Sequence, residues 1–366
     1  MSLKFVPDEP ELSAKIKVIG IGGGGGNAVN RMIEYGLRNV SFIAANTDAQ
    51  ALRNSQAATK LQIGTTLTKG LGVGGDPEKG RKATEEDRQA VKDILQGADM
   101  VFITAGMGGG TGTGGAPVIA EVAKELGVLT VAVVTKPFDF EGSVRARQSE
   151  EGIEKLRQKV DTLLIIPNQK LFAVIDENTL ALEAFKIADD VLRQSVQSIA
   201  DIVTVPGIIN VDFADVKSIM TNAGEALMGI GRGKGKGRAA LAAEKAIESP
   251  LLDNVSIQGA KGILVNITGN TDITLFEIND AMAIINESKN REAHVFYGQV
   301  FDSSLEDEVK VTVIATGFPK KDEQEKKTEK EQGKVPLEQV NGLRTNRVIE
   351  VPTIIRQEKK DGKKWI

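Results

Sequence analysis

From Lys15 onward, apolar runs and amphipathic stretches alternate along the chain. KIKVIGIG, SFIAANTD, DMVFITAG, LTVAVVTKPF and DTLLIIPN are near-continuous apolar segments, the pattern of strands buried on both faces. Between them, NAVNRMIEYG, ATEEDRQAVKDILQG and APVIAEVAKELG carry apolar residues at helical spacing. This alternation predicts a doubly wound α/β domain with a mostly parallel sheet over residues 15–178. In ALEAFKIADDVLRQSVQSIADIVT, apolar Leu182, Phe185, Ala188, Leu192, Val196 and Ile199 keep a helical period, so a long central helix is expected over 179–205. Beyond it, the strands ILVNITGN, AHVFYGQVFD and VKVTVIATGF and the helices ADVKSIMTNAGEALMG and ALAAEKAIESP predict a smaller α+β domain over 206–318. Residues 1–14 read as a flexible arm. Residues 319–347, with mixed charge and no apolar period, read as a disordered linker leading to a tail peptide over 348–366.

Composition narrows the function. The net charge of −4 gives no reason to expect nucleic acid or an anionic membrane as partner. With no cysteine and one histidine, His294, thiolate metal sites, disulfides and His-based catalytic triads fall away. No apolar stretch reaches the length of a membrane span and the N-terminus lacks a signal-peptide core, so a cytoplasmic protein without membrane insertion is expected. His294 stands at the start of a strand, and the basic run RGKGKGR (Arg232–Arg238) reads as a solvated loop.

Two glycine runs occupy equivalent places, each between an apolar strand and a helix: GIGGGGGN at 20–27 and GGGTGTGG at 108–115. Glycine lets backbone N–H groups approach an anion, the helix N-terminus adds partial positive charge, and threonine hydroxyls add donors. A third loop, KGLGVGGDP at 69–77, is placed to approach the same sheet edge through Gly74. No Gly-Lys-Ser/Thr follows either run, so a P-loop is absent. The pair reads as a nucleoside polyphosphate cradle on a non-P-loop scaffold. The Gly-x-Gly-x-x-Gly match at Gly20, Gly22 and Gly25 supports one alternative, a Rossmann-type NAD-dependent oxidoreductase.

GGGTGTG (Gly108–Gly114) and NVDFADV (Asn210–Val216), together with NTDAQAL, TKPFDFEG, SPLLD and VNITG in this order, resemble the tubulin/FtsZ family of GTPases on its bacterial cell-division side. The resemblance implies that GTP or GDP binds with its phosphates against Gly22, Gly23, Gly24 and Asn27 and against Gly108, Gly109, Gly110, Thr111, Gly112 and Thr113. It assigns Glu141 and Arg145 to the ribose, and Asn168, Phe185 and Asp190 to the guanine base. Asp190 would accept from the base's two N–H donors while Phe185 stacks on it. Mg2+ would be held by phosphates and water, with no protein metal ligand named.

By the same resemblance, Asp212 and Asp215 would position the attacking water, with Asn210 orienting the loop, inside the nucleotide site of the next subunit. Read without the family, Asp212 is equally an N-cap. Contact of this kind is head-to-tail and yields filaments. The implied setting is the cytokinetic ring at the division site, with Val351–Arg356 of the tail docking on membrane tethers and regulators. Val73 and Gly75 stand where the family usually has alanine, and Gln169 where it often has an acid.

Overall fold

The computed structural model describes residues 14–173, 175–176, 178–205, 211–252 and 257–319. Residues 1–13 of the arm, Asn210, and nearly all of the linker and tail, Val351–Arg356 included, lie outside the described residues. The first half runs β1 (Ile16–Ile21), α1 (Gly22–Glu34), β2 (Val40–Asn46), α2 (Ala49–Arg53), β3 (Thr59–Gln62) and α3 (Thr65–Thr68). It continues with α4 (Pro77–Glu86), α5 (Arg88–Leu95), β4 (Met100–Gly106), α6 (Thr111–Glu125), β5 (Leu129–Lys136), α7 (Ser143–Arg157) and β6 (Thr162–Pro167). Then come α8 (Ala181–Thr204), α9 (Phe213–Met220), β7 (Gly224–Lys234) and α10 (Arg238–Ile247). The last elements are β8 (Gly262–Gly269), α11 (Leu275–Ser288), β9 (His294–Phe301) and β10 (Glu308–Thr316).

These strands form one sheet in the order β3-β2-β1-β4-β5-β6-β7-β10-β8-β9. The first six are mutually parallel in the doubly wound order, with a topological switch point between β1 and β4. One face is covered by α1 and α8, through Val29, Met32, Leu192 and Val196 against Phe102 and Val131. The other face is covered by α5, α6 and α7, through Val91, Ile119 and Ile153 against Ile103 and Val134. This double cover is why the strands read as unbroken apolar runs. In the second half, α10 and α11 pack Ala242, Ala246 and Ile285 on Val265 and Val311.

The two halves meet where β7 joins β6 through only three residue pairs, Thr162 to Gly224, Leu163 to Glu225 and Leu164 to Ala226. Asp161 secures that junction. Its buried carboxylate accepts from Lys124 Nζ at 2.6 Å, Thr130 N–H at 3.0 Å and Asn222 N–H at 3.2 Å. A second seam runs along α8, where Ser198 Oγ lies 3.3 Å from Thr312 Oγ1 and Asn266 Nδ2 donates to the Ser198 carbonyl at 3.2 Å. Asp201 and Lys310 stand half-buried in the same seam. Burial pushes the Asp201 carboxyl up to about 6 and draws the Lys310 ammonium down from the usual lysine range.

Four sequence expectations change. The expected helix ADVKSIMTNAGEALMG stops at Met220, and the chain turns at Asn222 (φ 51°) and Gly224 (φ 74°) into β7. The expected helix ATEEDRQAVKDILQG is broken at Asp87, whose carboxylate accepts from Gly64 N–H at 2.6 Å. The glycines of the first run are not a loop, because Gly22–Gly26 form the first turns of α1. RGKGKGR is not a solvated loop throughout. Its Arg238 side chain is 6% exposed and pairs with Glu277 at 2.8 Å, Asp272 at 3.1 Å and Asp307 at 3.2 Å.

Replacing Asp161 with alanine leaves Lys124, the buried Thr130 N–H and the Asn222 N–H without this partner. Stability should fall by about 3 kcal/mol, visible as a lower urea midpoint with an unchanged slope.

Candidate functional site

At the switch point, β1 and β4 end side by side, with Ile21 paired to Ala105. Each strand runs into a helix whose first turn has no side-chain cap and no acidic residue. The leading N–H groups of α1 and α6 therefore have no partner inside their own helices and face the carboxyl edge of the sheet. A Cβ on Gly22 (φ +73°) would stand 2.9 Å from Gly112 N, and one on Gly112 would stand 2.9 Å from the Gly106 carbonyl. The two helix starts thus touch backbone to backbone. A Cβ on Gly24 would stand 3.2 Å from Gly106 N, whereas Cβ atoms on Gly23, Gly26 or Gly74 would meet nothing within 4 Å. The first group of glycines is needed for packing, and the second faces open space. A cavity of about 220 Å³ beside them is lined by Gly22, Gly23, Gly26, Asn27 and Asn46.

The Gly108–Gly110 turn is held from within. Thr113 Oγ1 accepts from Gly108 N–H at 2.8 Å, and Thr111 Oγ1 lies 2.7 Å from Thr47 Oγ1. Each threonine thus frames the loop, and each hydroxyl keeps capacity for one more hydrogen bond. Val73 packs on Gly110, which gives that departure from the family pattern a place against the loop. Arg145 reaches the same loop, its Nη2 3.9 Å from where a Cβ on Gly109 would stand, and pairs with Glu141 at 2.8 Å.

Of the residues that the family resemblance assigns to the base, Asn168 follows β6, while Phe185 and Asp190 stand on α8 five residues apart and so on different faces of that helix. Asn168 is buried, and its Oδ1 has no hydrogen-bond partner. Gln169 Oε1 accepts from Asp139 N–H at 3.2 Å. Phe185 is 43% exposed and meets Phe138 edge-on at 5.5 Å. Phe138 also contacts Phe140 and Phe172, and these four rings line a cavity of about 440 Å³. Asp190 accepts from Arg193 Nε and from Gln194 Nε2, both at 2.6 Å. Its neighbour Asp189 is largely withdrawn from water, which pushes that carboxyl up to about 6 against the opposing pull of Arg31.

Asp212 and Asp215 stand elsewhere. Asp212 caps α9, accepting from Asp215 N–H at 2.9 Å, and is exposed. The 24-residue α8 leads to them from the carboxyl edge, spanning about 36 Å. Its last residue, Thr204, accepts from Asn39 Nδ2 at 3.2 Å, just before β2 begins. The carboxylate pair therefore sits toward the amino edge, away from the cradle. Sequence reasoning missed Thr47 and Arg193. Thr47 lies in the quoted NTDAQAL stretch but carries no signal of its own, and Arg193 looks like one half of a helical ion pair. Among the described residues, no three metal-ligating side chains cluster, and no helix is long and apolar enough to cross a membrane.

Residues 15–176 match the profile of the Tubulin/FtsZ family GTPase domain, and residues 224–319 that of the FtsZ family C-terminal domain. The fold superposes on the empty FtsZ dimer structure of M. jannaschii with TM-score 0.81 and 45% identity, covering 84% of this chain and 89% of that one. The chain belongs to the tubulin/FtsZ family. A point mutant of the same M. jannaschii FtsZ gives 46% identity and TM-score 0.81 over 84% of this chain and 92% of that one. CetZ2 from Haloferax volcanii, solved as a GTPγS-bound protofilament, shares the fold at TM-score 0.71 and 22% identity over 87% and 97% of the two chains. As a tubulin/FtsZ-family member the chain is a GTP-binding, tubulin-like GTPase of the cytoskeletal and cell-division class. The oxidoreductase reading of Gly20–Gly25 finds no support in these matches.

Gly23→Ala tests the division between packing and open glycines. The unliganded chain should keep or slightly gain stability, by about 0.5 kcal/mol. If a phosphate rests on this turn, affinity for GDP, measured by titration calorimetry, should drop at least about tenfold, because the methyl fills the open space beside Gly23.

Proposed function

We propose that this chain binds GTP at the β1/β4 switch point, assembles head to tail into filaments, and hydrolyses GTP only where two subunits meet. One observation carries the reading: the cradle and the Asp212–Asp215 pair lie at opposite ends of α8, so one chain cannot bring them together. In a head-to-tail array, each subunit's α9 start faces the next subunit's cradle. Such contacts do not close on themselves, and they propagate.

In this reading, the phosphates rest on the N–H groups of Gly22–Gly24 and Gly108–Gly112, with Gly74 of the neighbouring loop, Asn27 and the Thr111 and Thr113 hydroxyls beside them. Glu141 and Arg145 hold the ribose. Asn168, with its free buried Oδ1, completes a base pocket with Phe185. The cradle offers donors rather than carboxylates, which suits phosphate. Mg2+ is then bound through phosphate oxygens and water. Asp212 and Asp215 of the adjoining subunit, with Asn210, orient water for in-line attack on the γ-phosphorus.

Exposed apolar side chains support association. Phe140, Phe172, Leu180 and Leu182 lie on the cradle's edge, at 69%, 52%, 70% and 69% exposure, and Leu275 and Phe276 project from the start of α11. The filaments form the division ring in the cytoplasm, and the tail segment Val351–Arg356 engages its membrane tethers and regulators.

The deciding experiment measures GTP turnover per subunit against protein concentration, with sedimentation in parallel. Turnover should rise with assembly; a rate per subunit that stays constant from dilute to concentrated solution would refute the shared site. Asp212→Asn separates catalysis from capping, since asparagine caps α9 as well as aspartate does. Turnover should fall at least about a hundredfold while GTP binding persists.

A further inference from the structure

We infer that Thr47 is a positioning residue that commits the Thr111 hydroxyl to act as a donor toward a phosphate oxygen of the bound nucleotide. The inference rests on the proposed contact between Thr111 and the phosphates. The two hydroxyl oxygens lie 2.7 Å apart, and by distance alone either one could donate. Burial decides between them. Thr47 is 0% exposed, and among the described residues its hydroxyl has Thr111 Oγ1 as its one hydrogen-bond partner. Were Thr111 the donor, the Thr47 proton would be left buried with no acceptor and no water, a costly arrangement. With Thr47 as the donor, that proton is satisfied. Thr111 then accepts on its oxygen and keeps its own proton for an outside acceptor, and it is the more exposed of the two, at 9%. A hydroxyl that accepts one hydrogen bond is polarised and becomes a stronger donor. A phosphate oxygen, which only accepts, suits such a proton.

Thr47 is itself fixed from both sides along the chain. Before it, the Asn46 carbonyl accepts from Ile63 N–H at 3.0 Å. After it, Asp48 caps α2 through Gln50 N–H at 2.8 Å, and Ala49 N–H donates to the Gly70 carbonyl at 3.1 Å. Thr68 Oγ1 also reaches the Thr47 carbonyl at 3.4 Å. Thr47 directly follows β2, whereas Thr111 opens α6. The hydroxyl pair therefore ties the Gly108–Gly110 turn to the end of β2 and, through Gly70, to the KGLGVGGDP loop. Valine at position 47 keeps the shape of threonine but removes the hydroxyl. The Thr111 proton then turns freely and loses its polarisation, and its hydrogen bond to phosphate weakens.

The test measures the affinity of β,γ-methylene-GTP, which resists hydrolysis, for the dilute full-length chain freed of nucleotide. Wild type is compared with Thr47→Val, Thr47→Ser, Thr111→Val and the double variant of Thr47→Val with Thr111→Val. Thr111→Val should weaken binding by about tenfold or more. Thr47→Val should weaken it by about fivefold, and Thr47→Ser, which restores a hydroxyl, should recover most of that loss. In the Thr111→Val background, Thr47→Val should add less than about a twofold loss, because its partner is already gone. A general loosening of packing lowers affinity equally in both backgrounds. Should Thr47→Val not fold, Thr47→Ala carries the same comparison. Wild-type affinity in Thr47→Val, or an equal loss in both backgrounds, overturns the role of Thr47 while Thr111 keeps its own. Wild-type affinity in Thr111→Val overturns the phosphate contact of Thr111 and this inference together.

Discussion

The rest of the structure depends on the contact between the first turns of α1 and α6, made backbone to backbone above the switch point. A side chain at Gly22 or Gly112 would force the two helix starts apart. Because they touch, two sets of unpaired N–H groups converge on one small region. The glycines lose much conformational freedom on folding, and burial of a sheet covered on both faces offsets that loss. The same contact fixes where the neighbouring parts stand. Thr113 tethers the turn before α6, Val73 backs Gly110, and Arg145 closes the loop from the β5 side.

The central helix α8 does different work along its length. Its first turns expose apolar residues, Leu182 and Phe185, at the cradle's edge. Its middle carries Asp190 and Arg193 and packs on α1. Its later turns meet the second half through a polar seam of Ser198, Asn266, Thr312, Asp201 and Lys310. A single helix thus runs from the exposed aromatic cluster through the interior of the first half to the approach to Asp212.

Much of this was readable from local signals. Apolar runs marked β1, β2, β4, β5 and β6, and the position of the glycine runs marked the switch point. The sustained period from Leu182 to Ile199 marked α8. What stayed hidden was set by partners far away in the chain. GEALMGIG fits a helical and a strand period over so short a span, and pairing with β6 and β10 decides for the strand. Arg238 looked solvated because Asp272, Glu277 and Asp307 converge on it only after folding. At α11 a signal was present and unused, for Thr274 and Glu277 form a capping box. Asp212 satisfied both of its readings at once, being an N-cap in the single chain while remaining free to serve a neighbour.

The convergence of two uncapped helix starts also bears on the empty protein. Partial positive charges at the two helix starts converge on one region, which favours a polyphosphate there. By mass action, a ligand at a hundred times its dissociation constant adds about 2.7 kcal/mol to the folded state. Nucleotide is in this sense a structural component as well as a fuel.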